Sequence, residues 1–248
     1  MTNVEVLFTP AEFEGLARRD LSGTTGVVFD VLRATSSMVT ALANGASAIF
    51  PVSEINDALE LKKVRPNLLL TGERGGMGIR AEDGSLFDLG NSPREFVRDR
   101  VAGREIVMTT TNGTRALVSC RPADAVFVSS FLNLSATARA VALATGKKLL
   151  LVCGGTFEEA AYEDVLGAGA LIDALQSKAE FKMADSALLA TKAWRLESAN
   201  LLAALKQSRN GKRLLEMPEL ATDVEFCAGR DRFELVARLK DDGSVRSA

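Results

Sequence analysis

Two stretches of the chain carry residue types that hold anions, at a spacing that puts them where a strand gives way to a helix. The first reads Gly26-Val-Val-Phe-Asp30-Val-Leu-Arg33-Ala-Thr35-Ser and the second Glu105-Ile-Val-Met-Thr109-Thr-Thr-Asn112-Gly113-Thr114. A helix that starts after such a cluster leaves its first backbone N–H groups unpaired and its dipole positive at that end, so each turn suits a phosphate or sulfonate. Superposing Val28 on Val107 brings Asp30 over Thr109 and Thr35 over Thr114. A third unit, Lys148-Leu-Leu-Leu-Val-Cys153-Gly154-Gly155-Thr156, also runs from an apolar strand into a small polar turn. Three strand ends converging on one cleft would share one ligand, because ligands of open α/β sheets sit beyond the carboxyl ends of the strands. Strand-turn-helix units recur in every α/β fold, and on the repeat alone that explanation stands beside the functional one.

The chain contains no histidine. That excludes Ser-His-Asp and Cys-His catalysis and histidine-ligated zinc, leaving carboxylates, hydroxyls, Lys, Arg, Cys or a hard metal ion. The acids best placed are Asp30, Glu73 and the pair Glu163-Asp164. Glu73 and Arg74, in the glycine-rich stretch Gly72 to Gly78, offer a metal ligand and an anion clamp side by side; a surface ion pair between them fits the composition equally. Asp30 and Thr109 also fit as helix caps, and Glu163 and Asp164 as charges complementing a helix N-terminus. Cys153 lacks the downstream arginine spacing of a cysteine phosphatase loop.

Positioning these residues requires a sheet with helices on its faces. Apolar runs at Val4 to Phe8, Gly26 to Val31, Ala48 to Val52, Leu68 to Thr71, Ile106 to Thr109, Ala125 to Ser129 and Lys148 to Cys153 read as strands. Thr35 to Asn44, Ile55 to Val64, Asn112 to Cys120, Leu134 to Ala144, Ala160 to Gln176 and Met183 to Leu205 read as helices, with Asn44-Gly45 as a stop and Ser92-Pro93 as a start. Asp223 to Cys227 and Phe233 to Leu239 read as short strands, and Ser208 to Gly211 as a capped helix start or turn. The stretch from Thr71 to Pro93 is a long irregular loop that Ile79, Leu86, Phe87 and Leu89 should order. The alternation predicts an α/β fold of three layers, α/β/α, around a mostly parallel or mixed sheet with repeated strand-turn-helix units, and no linker divides residues 1–248 into separate domains. Net charge is −2, from 30 basic and 32 acidic residues, so no basic field awaits nucleic acid or an anionic membrane. Three widely spaced cysteines and no signal peptide or spanning segment point to the cytoplasm. A homodimer is compatible with the sequence.

Taken in order, Asp30-Val-Leu-Arg33-Ala-Thr35, Gly72-Glu73-Arg74-Gly75, Asp88-Leu-Gly90-Asn91-Ser92-Pro93, Thr109-Thr-Thr-Asn112-Gly113-Thr114, Cys153-Gly154-Gly155, Glu163-Asp164 with Gly167-Ala-Gly169, and Gly211-Lys-Arg-Leu resemble the 2-phosphosulfolactate phosphatases over nearly the whole chain. Asn210 stands where that family usually has a histidine. The resemblance implies an α/β/α phosphatase dependent on Mg2+, of a kind known from coenzyme M biosynthesis, acting on 2-phosphosulfolactate. It also implies substrate contacts at Thr35, Asn91, Ser92, Gly154 and Gly155.

The residues fit that chemistry. Hydrolysis of a phosphomonoester needs a dianion neutralised, a nucleophile placed in line and a leaving alkoxide stabilised. Asp30 and Glu73 are the expected Mg2+ ligands, with Asp164 as a further ligand or general base, and Asp30, Asp164 and Glu163 as the catalytic acids. Arg33 and Arg74 are the expected anion clamps, and Thr110, Thr111, Asn112, Gly113 and Thr114 the donors of the second turn. An aspartyl-nucleophile phosphatase of the haloacid dehalogenase type would want an Asp where Leu32 stands, and a dinucleotide fold would want glycines between Val31 and Ser36. A non-catalytic binding protein for phosphorylated or sulfonated small acids is the alternative that anion turns alone leave open.

Overall fold

Aliphatic runs buried on both faces make the middle of a parallel sheet, and helices that carry the chain back across its faces complete the layers. The computed structural model describes residues 1–80, 84, 86–144, 146–176 and 180–248. The strands are β1 (Thr2–Leu7), β2 (Thr24–Phe29), β3 (Ala48–Val52), β4 (Leu69–Arg74), β5 (Met77–Gly78), β6 (Glu105–Thr109), β7 (Ala125–Ser129), β8 (Lys148–Cys153), β9 (Phe181–Met183), β10 (Ala237–Leu239) and β11 (Val245–Ser247). The helices are α1 (Pro10–Glu14), α2 (Ala34–Ala43), α3 (Ile55–Val64), α4 (Arg98–Val101), α5 (Gly113–Ser119), α6 (Leu134–Ala144), α7 (Tyr162–Gln176), α8 (Asp185–Glu197), α9 (Leu201–Gln207), α10 (Arg209–Leu215) and α11 (Ala221–Cys227).

The strands form one mixed sheet in the order β5-β4-β6-β3-β11-β10-β7-β2-β8-β1-β9. Two parallel blocks, β4-β6-β3 and β7-β2-β8-β1-β9, are joined by the C-terminal hairpin β10-β11, which is antiparallel to β7 on one side and to β3 on the other. The sequence repeat is therefore exchanged between blocks. The first copy leaves β2 in one block and reaches β3 in the other through α2, and the second leaves β6 and returns to β7 through α5. Alternation along β2 shows the layering: Val27 and Phe29 pack with α7 to α11, while Val28 packs with α2 and α5. Ala48, Phe50 and Val107 make a smaller cluster with Ala58 of α3. The expected α/β fold with a mixed sheet is present.

Several elements differ from expectation. Asp223 to Cys227 is helix α11, not a strand. Its buried positions, Asp223, Val224 and Cys227, follow helical spacing, which a five-residue apolar run does not reveal. The helix expected from Met183 to Leu205 begins after β9 and breaks at Ser198–Asn200, where Asn200 Oδ1 caps α9 by accepting from the Ala203 N–H at 3.3 Å. Pro93 starts only a short 3-10 turn, Pro93–Glu95, because Phe96 then turns fully into the core. Of Phe233 to Leu239, only Ala237–Leu239 is strand. The long loop is anchored by buried Ile79, Phe87 and Leu89, whereas Leu86 is exposed; its residues 81–83 and 85 lie outside the described ones. Gly45, at φ 96°, ends α2 in the left-handed conformation expected of a helix stop. No helix among the described residues is long and apolar enough to cross a membrane.

Candidate active site

The exchanged repeat brings the starts of α2 and α5 together at the carboxyl ends of the strands. Asp30 follows β2 directly. Its Oδ1 accepts from the Ala34 N–H at 3.0 Å, and its backbone N–H donates to Thr35 Oγ1 at 3.1 Å. Thr35 is fully buried and returns a hydrogen bond to Asp30 O at 2.9 Å, so it holds the turn rather than facing a ligand. The other carboxylate oxygen sits between two glycines. A Cβ at Gly113 would fall 2.5 Å from Asp30 Oδ2, and one at Gly154 3.1 Å from the same atom. Both turns thus press against Asp30, Gly113 at a distance only glycine permits and Gly154 at one that leaves a side chain little room.

Glu73, the last residue but one of β4 in the other block, lines the same cleft. Its Oε1 accepts from Thr111 N at 2.8 Å and Thr111 Oγ1 at 2.9 Å, and its Oε2 accepts from Gly76 N at 2.6 Å. The next residue, Arg74, points to the opposite face, as strand geometry demands. Its guanidinium donates to Thr109 Oγ1 and Ser53 O and does not line the cleft. The expectation that Glu73 and Arg74 act side by side is corrected by that alternation. Thr110 and Thr114 are buried and spend their donors on each other. The N–H groups of Asn112 and Gly113 have no partner among the described residues.

Arg33 lines the cleft but is almost fully buried, with Nη1 on Asp223 Oδ2 at 2.8 Å and Nη2 on Gly76 O at 2.7 Å. Asp223 also binds Ser92 Oγ at 2.7 Å and Arg94 Nε at 2.8 Å, so Ser92 braces the arginine from behind. Asn91 lines the cleft, and its buried Oδ1 has no partner among the described residues.

Glu163 and Asp164, in the first turn of α7, lie behind the cleft wall. Asp164 accepts from Val31 N at 2.7 Å and Gly155 N at 3.1 Å, so both its oxygens tie cleft turns to α7. Glu163 Oε1 accepts from Asn210 Nδ2 at 2.6 Å. Burial drives all three carboxyls upward; for Asp30 the Ala34 N–H and Arg33 oppose it, the negative charges of Glu73 and Glu163 add to it, and the net is about 7. Burial likewise pushes the Cys153 thiol well up, which leaves it unsuited to nucleophilic attack.

The cleft is small, about 70 Å³. Its rim includes residues for which the sequence offered no site role: Thr156, Phe157, Arg213, Leu214 and Met217, together with Asn210. Most come from α10 and the turn after it. The motif Gly211-Lys-Arg-Leu was the only signal for Arg213 and Leu214, while Thr156 ended the third polar turn and Asn210 stood at the position where the resembled family usually has a histidine.

Among the described residues no three Asp, Glu or Cys side chains form a ready-made metal cage. The donor set nonetheless fits Mg2+. Asp30 and Glu73 present hard carboxylate oxygens, Asn91 adds an unpartnered carbonyl oxygen, and this ion takes one or two carboxylates with water and substrate oxygens completing the shell.

A sequence profile of the 2-phosphosulpholactate phosphatases matches residues 11–242. A probable 2-phosphosulfolactate phosphatase of Caldanaerobacter subterraneus subsp. tengcongensis is 38% identical over 244 residues, covering 98% of each chain. Relatives with the same name are 40% identical over 215 residues in Thermotoga petrophila, covering 87% of this chain and 88% of the relative, and 35% identical over 246 residues in Pseudothermotoga lettingae, covering 99% of each. With the profile spanning all but the two ends, and the relatives aligned over most or nearly all of their length, the chain belongs to the 2-phosphosulfolactate phosphatase family and is a phosphoric monoester hydrolase.

Proposed function

We propose that the chain is a Mg2+-dependent phosphatase that hydrolyses 2-phosphosulfolactate to sulfolactate and phosphate. The observation that carries the reading is the pairing of Asp30 and Glu73, one from each block of the sheet, across a single cleft rimmed by helix-start amides and arginines. The relatives' names supply the substrate. Asp30 and Glu73 would hold the ion, with Asn91 Oδ1 as a neutral donor. Bound there, it would neutralise phosphoryl oxygens and support the developing alkoxide.

The chain's own groups account for the rest of the reaction. The Asn112 N–H, at the cleft, is the amide offered to a phosphoryl oxygen, and Arg33, held rigid by Asp223, supplies fixed positive charge beside it. Water adds to phosphorus opposite the ester oxygen and gives its proton to Asp30. The phosphorus–ester bond breaks, the alkoxide of sulfolactate takes a proton from solvent water, and Asp30 returns the proton it accepted to the hydroxide so formed. Asp164 acts by fixing the Val31 and Gly155 amides, and Glu163 through Asn210. The three cysteines are unpaired and buried, which suits the cytoplasmic setting we assign.

The test is phosphate release from 2-phosphosulfolactate and from 2-phospholactate, each with Mg2+ and with EDTA. Release from the sulfonate that EDTA abolishes is expected. Release indifferent to EDTA removes the metal, and release only from phospholactate removes the substrate.

A further inference from the structure

We propose that Arg213 receives the sulfonate of the substrate and makes this cleft select a sulfonated acid over its unsulfonated counterpart. The inference rests on the function proposed above and assigns a residue to its specificity. Of the arginines near the cleft, Arg33 is buried and fixed on Asp223 and Gly76 O in the interior, and Arg74 faces the opposite side of β4. Arg213 differs from both. It reaches from α10 across the mouth of the cleft, half-buried, with no carboxylate partner among the described residues.

Its position is built from two sides. The guanidinium lies 5.8 Å from the centroid of the Phe157 ring, and Nη2 donates to Gly75 O. A Cβ at Gly76 would stand 3.2 Å from Nη2, so the glycine turn leaves the room the guanidinium occupies. One N–H on Gly75 O leaves other donors of the planar fork for an anion, and the aromatic ring shields one face of the cation from water. With Asp30 and Glu73 in the floor taking the metal-bound phosphate, the far end of a short substrate lies at the mouth, where Arg213 is a cation with no carboxylate partner among the described residues.

A purely structural role, bracing the Gly75 turn, predicts equal damage to every substrate. Arg213→Gln keeps a donor for Gly75 O and removes the charge, so it separates the two. The expected result is a rise of about tenfold or more in KM for 2-phosphosulfolactate, the scale of a lost charge-assisted hydrogen bond, with KM for 2-phospholactate changed less than about twofold. Calorimetric binding of sulfolactate should weaken in parallel and that of lactate should not. Equal losses on both substrates, or none on either, overturn the assignment. If the wild-type protein releases phosphate from neither substrate, the proposed reaction fails. Sulfolactate binding then decides Arg213 separately: binding that Arg213→Gln abolishes upholds the sulfonate site, and binding that is absent or unaffected overturns it.

Discussion

At the scale of the residue, the site concentrates negative charge where water is scarce. Asp30 is an ordinary carboxylate by type, and its position under two glycines raises its carboxyl to about 7, chiefly through burial. Asp30→Asn keeps the shape and removes the charge that the fold disfavours. It should lower kcat by at least about 10²-fold, the scale of a lost general base, while the melting temperature stays level or rises; full activity in the folded variant would remove Asp30 from the chemistry. The sign of the pH dependence follows from the same shift. A carboxyl raised on folding binds more protons in the folded than in the unfolded state, so stability is greatest below its unfolded value near 4 and falls as pH rises through about 7. Glu163 and Asp164 are raised too and act in the same direction. Metal-free protein in EDTA should therefore melt lower at pH 8 than at pH 5, and added Mg2+ should recover the difference at pH 8. A melting temperature that climbs from pH 5 to pH 8 without metal would show that these carboxyls are not raised.

At the scale of the element, the turns were legible and their partners were not. Ala48–Val52, Ala125–Ser129 and Lys148–Cys153 match their expected strand limits because apolar runs there stop at polar or glycine-bearing turns. Asp30, Glu73 and the Thr111-Asn112-Gly113 turn were visible as chemistry at strand ends. Which way Arg74 faces depends on the register of β4. That Asn210 and Arg213 join the rim depends on α10 folding back over the cleft, a long-range event with no local pattern. The fate of Asp223 is the clearest case: its helix read as a strand, yet its side chain holds Arg33 and Arg94 together. Asp223→Ala would leave Arg33 charged and unpaired in the interior, at a cost of about 3–5 kcal/mol, read as a lower denaturation midpoint together with lost turnover. A variant with unchanged stability would mean the pair is solvated. Gly113→Ala tests the meeting of α2 and α5 directly. Its methyl would collide with Asp30 Oδ2 and the Ala34 side chain, so kcat should fall with a stability loss of about 1–3 kcal/mol, and wild-type kinetics would refute the close contact.

At the scale of the whole molecule, the cleft belongs to neither block of the sheet alone, since Asp30 comes from the block containing β2 and Glu73 from the block containing β4. Two kinds of link hold the blocks in register: the crossover helices α2 and α5, and the hairpin β10-β11 set between β7 and β3. The hairpin was invisible as a central element, because Ala237–Leu239 and Val245–Ser247 are only three residues each and their pairing partners lie more than a hundred residues away. Its turn is defined locally: Gly243 has φ 79°, and Asp242 Oδ1 accepts from Ser244 N at 2.9 Å and Ser244 Oγ at 2.6 Å. Val245 is fully buried and pairs with Ile49 across the junction. Removing residues 236–248 would expose the edges of β3 and β7, so the truncated chain should aggregate or lose cooperative unfolding. Val245→Ala gives the graded version: a cavity at the seam costing about 1–3 kcal/mol, with kcat falling further than the same loss placed at Leu175, which is buried in the cluster on the opposite face of the sheet from Val245. Equal kcat losses for Val245→Ala and Leu175→Ala at matched stability would mean that the seam does not set the spacing of Asp30 and Glu73, and that the crossover helices alone hold the two halves of the site in place.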